Sequence, residues 1–135
     1  MGLLDNYTGI GMSPRPRKEH QKILKNLIIN LDQDDISALT EQCVDEFDLD
    51  SKAPDVVIYE DDNNRYPDVI IEITTHDKLK KIKDKVLELL QNYPVIKEAF
   101  VFDYETKKWF AFGAVDNEDS PSYSPFFDVD FDDYL

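Results

Sequence analysis

Apolar positions fall into two helical stripes and several short β-branched runs. Ile23, Leu24, Leu27, Ile28 and Leu31 recur at spacings of three and four behind Pro14 and Pro16, which predicts a first helix. Leu79, Ile82, Val86, Leu89 and Leu90 form a second stripe, with Lys78, Lys81 and Lys85 on a flanking face. Thr74, Thr75, His76 and Asp77 offer N-caps for that helix, and Asn92-Tyr93-Pro94 ends it. Between the helices, Pro54-Asp55-Val56-Val57-Ile58 and Pro67-Asp68-Val69-Ile70-Ile71 read as buried strands, bounded by proline and charge. The turn-forming run Glu60 to Arg65 joins them as a hairpin. Cys43, Phe47 and Leu49 share one parity, interrupted by Asp45, so a further strand is expected over Glu41 to Asp50. Residues 32–40 are expected as loop or a short extra turn. Ala99 to Asp103 and Lys108 to Phe112 complete the series as two strands joined by Tyr104 to Lys107.

This order predicts an α/β chain of the mixed α+β kind. A central mixed sheet is flanked by helices in the order α-β-β-β-α-β-β. Residues 1–13 are Gly-rich and unpatterned and read as a loose arm, with the core over 14–115 and an acidic extension over 116–135. Within the extension, Asn117 to Pro125 reads as a linker. Phe127, Val129 and Phe131 then alternate with aspartates, which predicts a C-terminal edge strand whose outward acids guard it from pairing.

A length of 135 residues with 41% apolar content suits one domain and one core. The single cysteine, Cys43, excludes an internal disulfide and argues against a Cys-based zinc site. No apolar run approaches a membrane span and the N-terminus lacks a secretory pattern, so a cytoplasmic home without membrane contact is expected. The net charge of −14 argues against a phosphate-backbone partner. From Asp116 onward there are acids and no Lys or Arg, yet the rest of the chain also remains acidic.

Against that background the carboxylates of the hairpin stand out. Period-two alternation puts Asp68, Ile70, Glu72 and Thr74 on one face, so Glu72 is a carboxylate among apolar neighbours with no lysine on its own strand. A buried unpaired carboxylate is costly and calls for a metal, a proton or a partner from another element. Asp55, on the adjacent strand, would make a pair suited to Mg²⁺ or Mn²⁺, which favour oxygen ligands and keep several waters.

The ordered series Pro54-Asp55, then Glu72-Ile73-Thr74, resembles the PD-(D/E)XK nuclease superfamily. Within it, the chain is similar to a small bacterial restriction-endonuclease-like family abundant in cyanobacteria. The likeness runs from about Pro14 to Leu135. It takes in His20 near the start of the first helix, both Pro-Asp-Val stretches, Val69 to Ile73 before a Thr-rich turn, Asp84-Lys85, Glu98 to Asp103, and the closing Phe127 to Phe131. The resemblance implies a restriction-endonuclease-like fold and Mg²⁺- or Mn²⁺-dependent hydrolysis of phosphodiester bonds in DNA. In it, Asp55 and Glu72 are the metal-binding carboxylates and Asp68 is a further acid. Thr74 stands where the superfamily's strand lysine would be, so the resemblance gives that place to a helix lysine, Lys85 first and Lys81 second. It also has Glu19 and His20 facing the site from the first helix.

Simpler readings stand beside these. Asp55 and Asp68 each follow a proline, where aspartate often caps a turn. His20 could be a satisfied core histidine, the helix lysines a solvated face, and Trp109, Phe110 and Phe112 plain packing. Two functions follow: a metal-dependent nuclease, or a catalytically inactive protein of the same fold whose acidic surface binds a basic protein or mimics DNA. A homodimer is compatible with either.

Overall fold

The computed structural model describes residues 14–45, 47, 52–113 and 119–135. The expected arm at 1–13, part of the strand expected over 41–50 and part of the linker expected over 117–125 lie outside the described residues. The elements are α1 (Pro14–Gln33), β1 (Ser37–Thr40), β2 (Val56–Tyr59), β3 (Val69–Thr74), a 3-10 turn (His76–Lys78), α2 (Leu79–Asn92), β4 (Glu98–Asp103), β5 (Lys108–Gly113), two short strands β6 (Tyr123–Ser124) and β7 (Val129–Asp130), and a closing 3-10 turn (Phe131–Tyr134). The result is a mixed α+β fold.

Strands β1 to β5 form one sheet in sequence order. Neighbours are antiparallel except β3 and β4, which run parallel because α2 carries the chain from one to the other. Both faces of the sheet are covered, which is why β2, β3 and β4 are buried at every position. On one face Leu24, Leu27 and Leu31 of α1 meet Val56, Ile58, Val69, Ile71, Ile73 and Phe100. On the other, Val86 and Leu89 of α2 meet Val57, Ile70, Ala99 and Val101. The period of two along each strand sorts the residues between these half-cores. Among the described residues no helix is long and apolar enough to cross a membrane.

The first strand is not where the parity of Cys43, Phe47 and Leu49 places it. β1 lies at Ser37–Thr40, in the stretch expected as loop, and pairs with β2 in the register Ser37↔Tyr59 to Thr40↔Val56. The chain leaves α1 through Asp35 in the left-handed region (φ 60°), which turns it sharply enough for Ile36 and Ala38 to pack on the α1 half-core. Among the described residues of the stretch expected as a strand, 41–45 and 47, none is in a strand, and Asp45 gives the reason. Its buried carboxylate accepts from the Phe47 N–H and takes a bidentate pair from Arg65, Nε and Nη2 both at 2.8 Å, so it serves a turn and an ion pair. Phe47 itself is exposed.

The C-terminal strand also differs from expectation. Only Val129–Asp130 is a strand, and it pairs with Tyr123–Ser124 in a separate two-stranded ribbon rather than with the main sheet. Asp130 then accepts from the Asp132 N–H and starts the closing 3-10 turn. This turn delivers Phe131 into the α1 half-core, edge-on to Phe100 with centroids 5.0 Å apart. Buried Glu98 holds the segment from below, accepting from Ser124 Oγ at 2.6 Å and the Phe126 N–H at 2.9 Å.

Candidate functional site

The hairpin register decides the site. Val56 pairs with Ile71, so Asp55 lies across from Glu72 just beyond the last paired residues. The Asp55 N–H donates to Glu72 Oε1 at 3.1 Å, and the Ile73 N–H donates to Asp55 Oδ2 at 2.8 Å. Each carboxylate therefore satisfies a backbone donor of the other's strand. From α1, His20 Nε2 reaches Asp55 Oδ2 at 3.2 Å. From α2, the Lys85 ammonium lies against Glu72 Oε2, which is buried and meets no other donor among the described residues. Both helices thus send one side chain to a two-strand carboxylate pair.

The electrostatics are unequal. Burial and then the Asp55 charge push the Glu72 carboxyl up to about 7, against the opposing pull of Lys85. Burial also pushes Asp55 up, but the hydrogen bonds from His20 and the Ile73 N–H outweigh it and leave the carboxyl below its ordinary value. The hydrogen bond to Asp55 raises His20 above the usual imidazole value, against the opposing effect of burial. Each carboxylate has a basic partner, and burial first, then the neighbouring Asp55, keeps the Glu72 carboxyl raised.

Four of the residues singled out in the sequence come together here: Asp55, Glu72, Lys85 and His20. Three do not. Asp68 sits at the other end of β3, roughly 13 Å along the strand from Glu72. There it accepts from the Glu60 N–H and from Lys97 Nζ, both at 2.8 Å, tying the hairpin to the start of β4. Lys81 is exposed one turn before Lys85. Glu19 is exposed and points its charge toward Tyr104, helping burial and Glu105 raise that phenol.

Sequence reading missed one arrangement close by. Asp103, at the end of β4 and fully buried, accepts from Thr106 Oγ1 and His76 Nδ1, both at 2.7 Å. The Glu105 and Thr106 N–H groups also donate to it. His76 looked only like one of several caps for α2; the partner that gives it a fixed pose lies twenty-seven residues away.

Among the described residues no three His, Cys, Asp or Glu side chains close on a single point as a metal cage would. The donor set present is two carboxylates, the oxygen-ligand chemistry taken by a hard divalent cation of the Mg²⁺ type that keeps most of its waters. No family model and no curated protein sequence matches the chain.

Proposed function

We propose that the chain is a Mg²⁺- or Mn²⁺-dependent nuclease with a restriction-endonuclease-like core, hydrolysing phosphodiester bonds in DNA in the cytoplasm. One observation carries the reading: Lys85 comes from α2 to Glu72, the carboxylate that shares a hydrogen-bonded hairpin end with Asp55. A helix lysine then occupies the chemical place that Thr74 leaves empty on the strand. Asp55 and Glu72 would hold the cation, which supplies Lewis acidity toward a phosphoryl oxygen. Lys85, with a quarter of its side chain exposed, offsets negative charge that develops on the phosphate. His20 keeps Asp55 ionised and aimed, as a histidine donating to a carboxylate does.

The charge distribution supports a nucleic-acid substrate better than the net value of −14 does. Five lysines fall between Lys78 and Lys85, and Lys18, Lys22 and Lys25 are exposed on α1. Apart from Lys78 in the 3-10 turn, these lysines lie on the two helices that contribute His20 and Lys85. Backbone affinity depends on such local clusters more than on the molecular total.

A second reading, a catalytically inactive acidic binding module for a basic protein, is favoured by the same Lys85–Glu72 contact read as a purely structural ion pair. Calorimetric titration with Mn²⁺ separates the two. Binding by the parent that is lost in Asp55→Ala and Glu72→Ala supports the nuclease; a parent that binds no Mn²⁺ or Mg²⁺ rejects it and leaves the module.

A further inference from the structure

Hydrolysis at this site needs a proton acceptor, and in the nuclease reading both carboxylates are given to the cation. Asp55 Oδ2 is held by His20 and the Ile73 N–H, and Glu72 by the Asp55 N–H and Lys85. Beyond the end of β3, two residues past Thr74, His76 is held in a fixed pose. Two-thirds of its side chain is open to solvent, yet its ring is fixed by a carboxylate with no exposure at all. The His76 N–H is also anchored, donating to Glu105 Oε1 at 2.8 Å.

The hydrogen bonds settle the tautomer. Ionised Asp103 can only accept, so the neutral ring carries its proton on Nδ1 and leaves Nε2 as a bare lone pair. The place is equally specific. Thr74, two residues beyond Glu72, is in register with Asp103, and its carbonyl accepts from the Tyr104 N–H at 3.1 Å. The 3-10 turn and the β4–β5 turn therefore meet at the end of β3 that runs on from Glu72.

We infer that His76, oriented by Asp103, is the proton acceptor for the water that attacks phosphorus. This rests on the nuclease reading. The water oxygen forms a bond to phosphorus while Nε2 takes its proton. The bond to the leaving sugar oxygen breaks, that oxygen takes a proton from solvent, and the imidazolium returns its own. Asp103 is a positioning residue: it fixes which ring nitrogen is free and steadies the positive ring. The charged groups that face His76 are Asp103 and Glu105, with Asp77 next to it in the chain.

The test is single-turnover cleavage of DNA with Mn²⁺ by the parent, His76→Ala, His76→Gln and Asp103→Asn, alongside Mn²⁺ calorimetry. Both His76 variants should lose about 10²-fold or more in rate while binding Mn²⁺ as the parent does, and added imidazole should restore part of the His76→Ala rate. Asp103→Asn keeps the acceptor of the turn N–H groups but should lose rate by offering Nδ1 a donor. Unchanged rates in His76→Ala overturn the inference and leave the nuclease reading intact. A parent that cleaves nothing removes both. With only two histidines in the chain, ¹⁵N NMR of His76 gives an activity-independent readout: a neutral ring protonated on Nε2 also overturns the inference.

Discussion

Asp55 and Glu72 clasp each other's strands: the Asp55 N–H donates to Glu72 Oε1, and Asp55 Oδ2 accepts from the Ile73 N–H. Carboxylates so fixed cannot move apart without breaking backbone hydrogen bonds, so their mutual repulsion is built into the fold. This has a thermodynamic consequence. The folded Glu72 carboxyl binds its proton up to about pH 7, whereas the unfolded group releases it near 4.5. Between those values the folded state holds more protons, so stability falls as pH rises through the window and stays lost above it. His20 acts in the same direction, since a raised imidazole stabilises below its ordinary value and loses that contribution as pH rises through the folded one. Asp55 acts oppositely and only in acid, its contribution vanishing as pH falls through its lowered value. Urea unfolding in chelator should therefore show a loss on the order of 3 kcal/mol between pH 5 and 8. Glu72→Gln should flatten the profile, and a flat profile in the parent would contradict the account.

Divalent cations should reverse that loss. A cation between Asp55 and Glu72 favours the ionised pair, so the rise in Tm on adding Mn²⁺ should be larger at pH 8 than at pH 5. Thermal melts at both values check this, and Glu72→Gln should lose most of the difference.

Lys85→Met separates folding from chemistry. Without the ammonium, Glu72 can take a proton instead of standing as an unpaired charge, so the protein should still fold. Its stability deficit should grow with pH, while DNA cleavage falls by about 10²–10³-fold, as for loss of one electrostatic donor to the reacting phosphate. Unfolding curves at two pH values and a cleavage assay read the two effects separately.

Gly113 closes β5 with φ +88°, and a Cβ there would stand 2.9 Å from the Lys97 carbonyl oxygen. That oxygen belongs to the backbone entering β4 and cannot swing aside. Gly113→Ala should cost roughly 1–3 kcal/mol from the strained conformation, visible as a lower urea midpoint.

Phe131 tests whether the acidic C-terminus is part of the core. It is fully buried against Phe100, and Trp109 Nε1 donates to neighbouring Asp132 at 3.0 Å. Phe131→Ala should destabilise by about 3–5 kcal/mol; a loss below 1 kcal/mol would mean the segment is only loosely attached.

Much of the framework was legible because its signals are local. The two helical stripes, the paired Pro-Asp-Val strands and the last hairpin each carry their periodicity within a dozen residues, and all form where expected. β1 was not legible: Ser37–Thr40 has little strand character of its own and is extended because Val56–Tyr59 offers it an edge. Over the described part of 41–50 the parity of Cys43 and Phe47 misled because the interrupting Asp45 answers to Arg65, twenty residues away. Likewise the alternation around Val129 looked like a strand, but the space beside Phe100 draws Phe131 inward and the chain turns.

By itself, the sequence determined the two helices, the carboxylates of the hairpin, and that Glu72 would need a partner from another element, because burial and valence follow from residue type and period. Only the tertiary structure decided which partner. Lys81 and Lys85 sit one turn apart on the same helix, and the packing of Val86 and Leu89 on Val57, Ile70 and Val101 sets which of them arrives at Glu72. The same holds for Asp55 over Asp68. Both follow a proline in near-identical stretches, but antiparallel register places one across from Glu72 and the other at the far end of the strand, where Lys97 neutralises it.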